Sequence, residues 1–196
     1  MEVQRKSLTQ LFVPICFETL FYMLAGMVDT LMLSSVSDQA VGAVGTANTY
    51  IGVFIIMFGV ISSGMVAVMT QNIGAGKPGI AYQARQLGLL FNAIIGVLMS
   101  VFLAFFSGNI LKIVSIAPAL LEPAETYLKI VGGACFLNAL IPIFSSYLRV
   151  FGYTKQSLFA SVVGNVINFV LNAVFLYVMN LGVMGVAAAT VISRVI

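Results

Sequence analysis

The sequence predicts an all-α fold: a polytopic membrane bundle of six transmembrane helices, the last cut short. Three observations carry that reading. Hydrophobic residues make up 61% of the chain and charged residues only 8%, against about 25% charged in soluble domains. The mean hydropathy is +1.10. Finally, apolar stretches recur at the roughly 20-residue length that spans a bilayer core, separated by Gly, Pro and charged residues. Together these exclude an ordinary soluble domain and a disordered tail. A formal charge of +3 with no basic run or stripe gives no support to a nucleic-acid partner.

The first span covers residues 8–34. Arg5 and Lys6 precede it, but the run is too long for a signal peptide and no small-residue cleavage site follows. Glu18 and Asp29 are its only charges. An ionisable group at membrane depth costs roughly 2.5 kcal/mol or more, so it usually faces a protein interior or a wet cavity. Eleven residues of ideal helix return the two acids to within about 20° of each other, about 16 Å apart along the axis. Both therefore share one face. Pro14 lies one turn before Glu18, removes a backbone donor and strains the preceding turn. It reads either as a static bend or as a hinge that changes the environment of Asp29.

A tight turn over 36–39 leads to the second span, 40–69, where Gly42, Ala43, Gly45 and Ala47 suit close helix approach. Asn48 in this span and Tyr22 in the first are candidates to line a cleft. The connection 71–84 contains Gly74-Ala75-Gly76-Lys77, a fragment of a phosphate loop. Walker A needs Gly where Gln71 stands and Ser or Thr where Pro78 stands, so this is a turn with a basic residue. Spans three and four are 86–106 and 127–147, flanked by Arg85 and Arg149 as interface anchors. Between them, 108–126 holds Pro118, Glu122, Pro123 and Glu125 and is expected at the membrane interface. The fifth span is 158–178. The sixth, 183–196, has 14 residues and a second small-residue cluster at Gly185 and Ala187–Ala189, which suggests a fragment of something longer.

With the N-terminus in the cytoplasm, Arg5, Lys6, Lys77, Arg85, Arg149, Lys155 and Arg194 lie inside, and only Lys112 and Lys129 outside. Seven against two is a strong positive-inside bias, so the N-terminus is expected on the cytoplasmic side of a plasma (inner) membrane. Cys16 and Cys135 lie in apolar spans without zinc spacing and read as buried free thiols. No His is present, and no nucleophile lies at useful spacing from a base, so the chain is not expected to be an enzyme or to need a cofactor.

In the fifth span, Asn165, Asn168 and Asn172 fall within an arc of about 60°. Interhelical hydrogen bonding is one explanation. The other joins Asn168 and Asn172 to Asp29 and the hydroxyl of Thr190, a set of hard oxygen ligands for a sodium ion or a relayed proton.

Taken in order, Pro14-Ile15-x-x-Glu18, Gly26-x-Val28-Asp29-Thr30-Leu31-Met32-Leu33, Ala43-Val44-Gly45-x-Ala47-Asn48, Gln71-Asn72-x-Gly74-Ala75-Gly76, Asn168-x-x-x-Asn172 and Gly182-Val183-x-Gly185-Val186-Ala187-Ala188-Ala189-Thr190 resemble the amino-terminal half of a multidrug and toxic compound extrusion (MATE) transporter. The resemblance runs nearly end to end. It implies two six-helix lobes around a central cleft, the carboxyl-terminal lobe being absent here, and export of cationic or amphipathic organic compounds in exchange for sodium ions or protons. It also implies that Asp29 is the ion-binding carboxylate of this lobe, surrounded by Asn168, Asn172 and Thr190. Some members carry Asp where this chain has Asn172, so this chain has one negative charge where those have two.

The expected function is therefore a cation-coupled antiporter working by alternating access, with Glu18 as a secondary candidate for contact with a cationic substrate. Glu18 reads equally as a carboxylate satisfied by neighbouring hydroxyls. A lipid-linked oligosaccharide flippase of the wider superfamily is the nearest alternative. It needs cations in the cleft to meet a pyrophosphate, and every Lys and Arg here falls at a span end or in a loop. A non-transporting membrane scaffold is the third reading. It has no need of acids and amides facing one cavity.

Overall fold

The computed structural model describes residues 7–196, apart from the side chains of Tyr22 and Ala25. The basic pair Arg5 and Lys6 lies outside the described residues. The described chain is helical throughout, in the order α1 (Leu8–Ser34), α2 (Asp38–Gly74), α3 (Pro78–Ile113), α4 (Pro118–Tyr127), α5 (Cys135–Val150), α6 (Thr154–Ala173) and α7 (Gly182–Val195).

Local chemistry accounts for the helix ends. Ser7 and Gln10 form a reciprocal capping box that starts α1, and the Ser37 hydroxyl accepts from Ala40 N to start α2. Pro78 and Pro118 begin α3 and α4, where a missing N–H costs nothing. Gly76, at φ 70°, makes the left-handed turn between α2 and α3. Only Ala75–Lys77 is left outside helix there, so the Gly-rich connection is far shorter than 71–84.

Four helices, α1, α2, α3 and the continuous 154–178 segment, are long and apolar enough to cross a membrane. A fifth crossing arises if Pro118–Gly132 and Cys135–Val150, bent by 47° at their junction, form one broken span. The segment 108–126 is largely helical. It is the end of α3, a short turn and α4, in which Ala124 is buried. α7, at 14 residues, reaches about 21 Å, short of a bilayer core of about 30 Å.

α3 packs against α5 and α2, α4 lies on α2, and α1 leans on α6. Close approach depends on glycine. A Cβ at Gly96 of α3 would sit 2.7 Å from Ala139 Cβ, and one at Gly132 would sit 2.9 Å from Leu103 Cβ. Asn92, fully buried, donates to Ala139 O at 2.9 Å and Phe58 O at 3.3 Å, tying α3 to α5 and α2. Pro142 interrupts the α5 ladder one turn after Asn138, in the region this amide supports. Ala43 and Ala47 of the small-residue cluster are fully buried, as are Ala187 and Ala189. Among the long spanning helices, α1 is covered sparsely: 12% of its most apolar window is buried within the lobe, against 22% for α2 and α3.

Candidate functional site

α1 and α6 run parallel, and their seam carries two carboxylate sites. Glu18 faces Ser157 and Ser161, and Asp29 faces Asn168 and Asn172. The spacing is eleven residues on both helices, and each acid meets an i, i+4 pair, so the second site repeats the first one helical register higher. At the C-terminal end of α1 the seam closes with Ser35 Oγ and Tyr177 Oη, 2.9 Å apart. The expectation that both acids share one face of α1 holds.

Asp29 is half-buried. Asn172 Nδ2 donates to its Oδ1 at 2.7 Å. Asn168 turns one amide atom toward the same carboxylate, and that position is 2.9 Å from Oδ1, 3.1 Å from Oδ2 and 3.2 Å from Asn172 Nδ2. With nitrogen inward, Asn168 donates to both carboxylate oxygens. With oxygen inward, it accepts from Asn172 but opposes the carboxylate unless a proton or cation lies between them. The preferred amide orientation therefore depends on the charge carried at Asp29. Asn172 Oδ1 is buried and has no hydrogen-bond partner among the described residues.

On its other side Asp29 borders a cavity of about 130 Å³ between α1, α2, α4 and α7, lined also by Thr30, Gly45, Asn48, Tyr127 and Val186. A Cβ on Gly45 would meet nothing within 4 Å, so this glycine contributes open space. Asn48 lines the cavity as expected. Thr190 does not reach Asp29: its hydroxyl donates to Val186 O at 2.9 Å within α7. Tyr127, buried at 4% exposure, lines the cavity together with Asn48. Arg194, in the last turn of α7, acts electrostatically on Asp29 and Tyr127.

Glu18 is found as the reading of a carboxylate satisfied by neighbouring hydroxyls describes it. Glu18 is 9% exposed and does not border the cavity. Arg149 Nη2 pairs with Oε1 at 2.7 Å, Ser157 Oγ donates at 3.1 Å and Ser161 Oγ at 3.2 Å. Arg149 is accordingly not a simple interface anchor. Its stem lies at the end of α5 while its head turns inward to α1. Arg85 is held between the rings of Tyr82 and Tyr147, 4.9 Å from each centroid. The side chain of Tyr22 lies outside the described residues. Pro14 is buried and α1 runs unbroken through it. Glu18 meets α6 one turn later, between Pro14 and Asp29. Asn165 is half-buried and bonds to neither acid.

Tyr127 is the functional candidate that sequence reasoning missed. It was the first residue of an apolar span, and a lone tyrosine at a span end is also what an interfacial aromatic looks like. Two π-helical segments, Leu128–Gly132 and Val174–Val178, follow Tyr127 and, two residues on, Asn172. Such insertions accompany functional sites. No sequence signal marked them.

The MatE family profile matches residues 14–174. The chain belongs to the MatE family of MATE transporters. It is 36% identical over 194 residues to an uncharacterized transporter, YisQ, of Bacillus subtilis, covering 97% of this chain and 43% of that protein. It is 29% identical over 206 residues to a probable multidrug resistance protein, NorM, of Thermotoga maritima, covering 97% and 42% respectively. A solved MATE transporter in an outward-facing conformation superposes with TM-score 0.87 at 22% identity, over 95% of this chain and 42% of the other. The MATE chain spans less than half the length of these relatives. Members of the family are multi-pass membrane proteins, and several relatives carry the name multidrug resistance protein.

Proposed function

We propose that this chain forms one lobe of a cation-coupled exporter of organic compounds, most simply cationic or amphipathic ones, in which Asp29 carries the coupling ion. The observation that carries the proposal is the pairing of Asp29 with Asn168 and Asn172 at the edge of a cavity that also holds Asn48 and Tyr127. A carboxylate sunk in the seam of two apolar helices, with no Lys or Arg bonded to it among the described residues, is an expensive arrangement without an exchangeable charge.

A proton is the simplest cargo. When Asp29 is ionised, the Asn168 amide turns nitrogen inward and donates to both oxygens. When Asp29 is protonated, the amide turns oxygen inward, accepts that proton and accepts from Asn172. Sodium needs more: both amides must present oxygen, which breaks the bond from Asn172 Nδ2. In alternating access, the two lobe conformations differ in affinity for this proton and for the exported compound, and transport is limited by that difference.

Among the described residues, no Lys or Arg lines the cavity, which weighs against a pyrophosphate-bearing lipid-linked substrate. We place the protein in the cytoplasmic membrane with its N-terminus inside, on the seven-to-two distribution of basic residues. The decisive test uses this chain within the complete transporter, reconstituted in liposomes. Asp29→Asn is expected to abolish ethidium efflux driven by a proton gradient, and undiminished efflux refutes the assignment. Repeating the measurement with a sodium gradient separates the two ions.

A further inference from the structure

We propose that Glu18 and Arg149 are positioning residues: their ion pair sets the register of α1 on α6 and thereby holds Asp29 against Asn168 and Asn172. The inference rests on the reading of Asp29 as the ion site and concerns a different part of the molecule.

Three features lead to it. α1 is sparsely covered within the lobe, with 12% of its most apolar window buried, and its main neighbour is α6. Its long-range polar contacts form a ladder on α6 and the segment that continues it: Glu18 to Ser157 and Ser161, Asp29 to Asn172 and Asn168, Ser35 to Tyr177. Among the described residues, only the first rung contains an ion pair, and that pair brings in a third helix, because Arg149 stands on α5. Amides and hydroxyls tolerate sliding by exchanging partners. A buried carboxylate that accepts from a guanidinium and two hydroxyls has one position that satisfies all three.

The identical eleven-residue spacing on the two helices then has a mechanical meaning. On parallel helices of equal rise, setting Glu18 opposite 157 and 161 necessarily sets residue 29 opposite 168 and 172. The clamp also lies between Pro14 and Asp29, so bending at Pro14 reaches the ion site only after Glu18 lets go. Glu18 and Arg149 touch neither the cavity nor Asp29, so their influence on the coupling ion passes through the placement of α1.

Cysteines introduced at Ser35 and Tyr177, with Cys16 and Cys135 replaced by alanine, report register at the far end of the seam through a short bifunctional thiol reagent. In the complete transporter, Glu18→Gln and Arg149→Gln are each expected to slow this cross-linking by about fivefold or more, and to raise the half-saturating concentration of the driving cation by a similar factor. Protons and sodium ions serve as probes, with ethidium efflux as readout. The exchanged pair Glu18→Arg with Arg149→Glu restores cross-linking at least in part. Glu18→Gln keeps the shape and polarity of the site and frees Arg149 toward water, so it decides the matter if the exchanged pair does not fold. Cross-linking and half-saturation both unchanged in Glu18→Gln, with only thermal stability reduced, overturn the proposal. The cross-linking readout is independent of what Asp29 binds, so failure of the ion-site assignment is seen separately.

Discussion

The two acids of α1 sit in equivalent places on the same helix pair and have opposite surroundings. Glu18 is closed in, with Arg149 supplying a full countercharge and Ser157 and Ser161 filling its remaining lone pairs. Asp29 has amide partners and no bonded cation among the described residues, and one side opens on a cavity. A carboxylate whose countercharge is tethered is a fastening. One whose countercharge must come from outside can exchange it. The partners differ at three positions: Arg149 at the first site, and Asn rather than Ser at positions 168 and 172.

Perturbing either site breaks or sharpens that contrast. The largest effect is expected at Asp29. Asp29→Asn reduces gradient-driven efflux to background while leaving the amount of folded transporter close to normal, because Asn still bonds to Asn172; quantified efflux and a thermal melt check the two halves. Next comes Arg149→Met, which leaves Glu18 buried without its countercharge and costs about 3–5 kcal/mol of stability, read as a lowered melting temperature. If Arg149→Met is harmless and Asp29→Asn unfolds the protein, the roles are reversed. Asn172→Leu removes the donor at 2.7 Å from Asp29 and weakens a charged hydrogen bond of about 1.5–3 kcal/mol, seen as a shift in the half-saturating cation concentration. Ser161→Ala is the mildest. Glu18 keeps Arg149 and Ser157, and the loss is about 1 kcal/mol of stability with unchanged efflux.

Much of the lobe could be read from residue order. The 3.6-residue period put Glu18 and Asp29 on one face of α1, and the same period put Asn168 and Asn172 on one face of α6; the fold joined those faces. Asn48, named as a candidate to line a cleft, borders the cavity. Glu18 and Arg149 were individually visible, the first read as a cleft residue or as a carboxylate satisfied by hydroxyls and the second as an anchor, but their pairing was not read. Their meeting spans 131 residues of chain, and no local pattern encodes a contact between the start of one span and the end of another. Thr190 shows the opposite error. Its hydroxyl found a carbonyl one turn back in its own helix, which a threonine in an apolar span does readily. Tyr127 entered the site because a 47° break turns the helix that follows it. Glycine, proline and π-turns do not announce such angles.

Composition and hydropathy alone determined that this chain spans membranes as helices, because a backbone in hydrocarbon must satisfy its own hydrogen bonds and roughly 20 apolar residues do so across a bilayer. They also determined that its two buried acids needed company. Which acid received an arginine and which received amides was decided by tertiary structure. Charge-assisted hydrogen bonds need donor and acceptor within about 3 Å, and distances that short between separate helices exist only once the helices have packed.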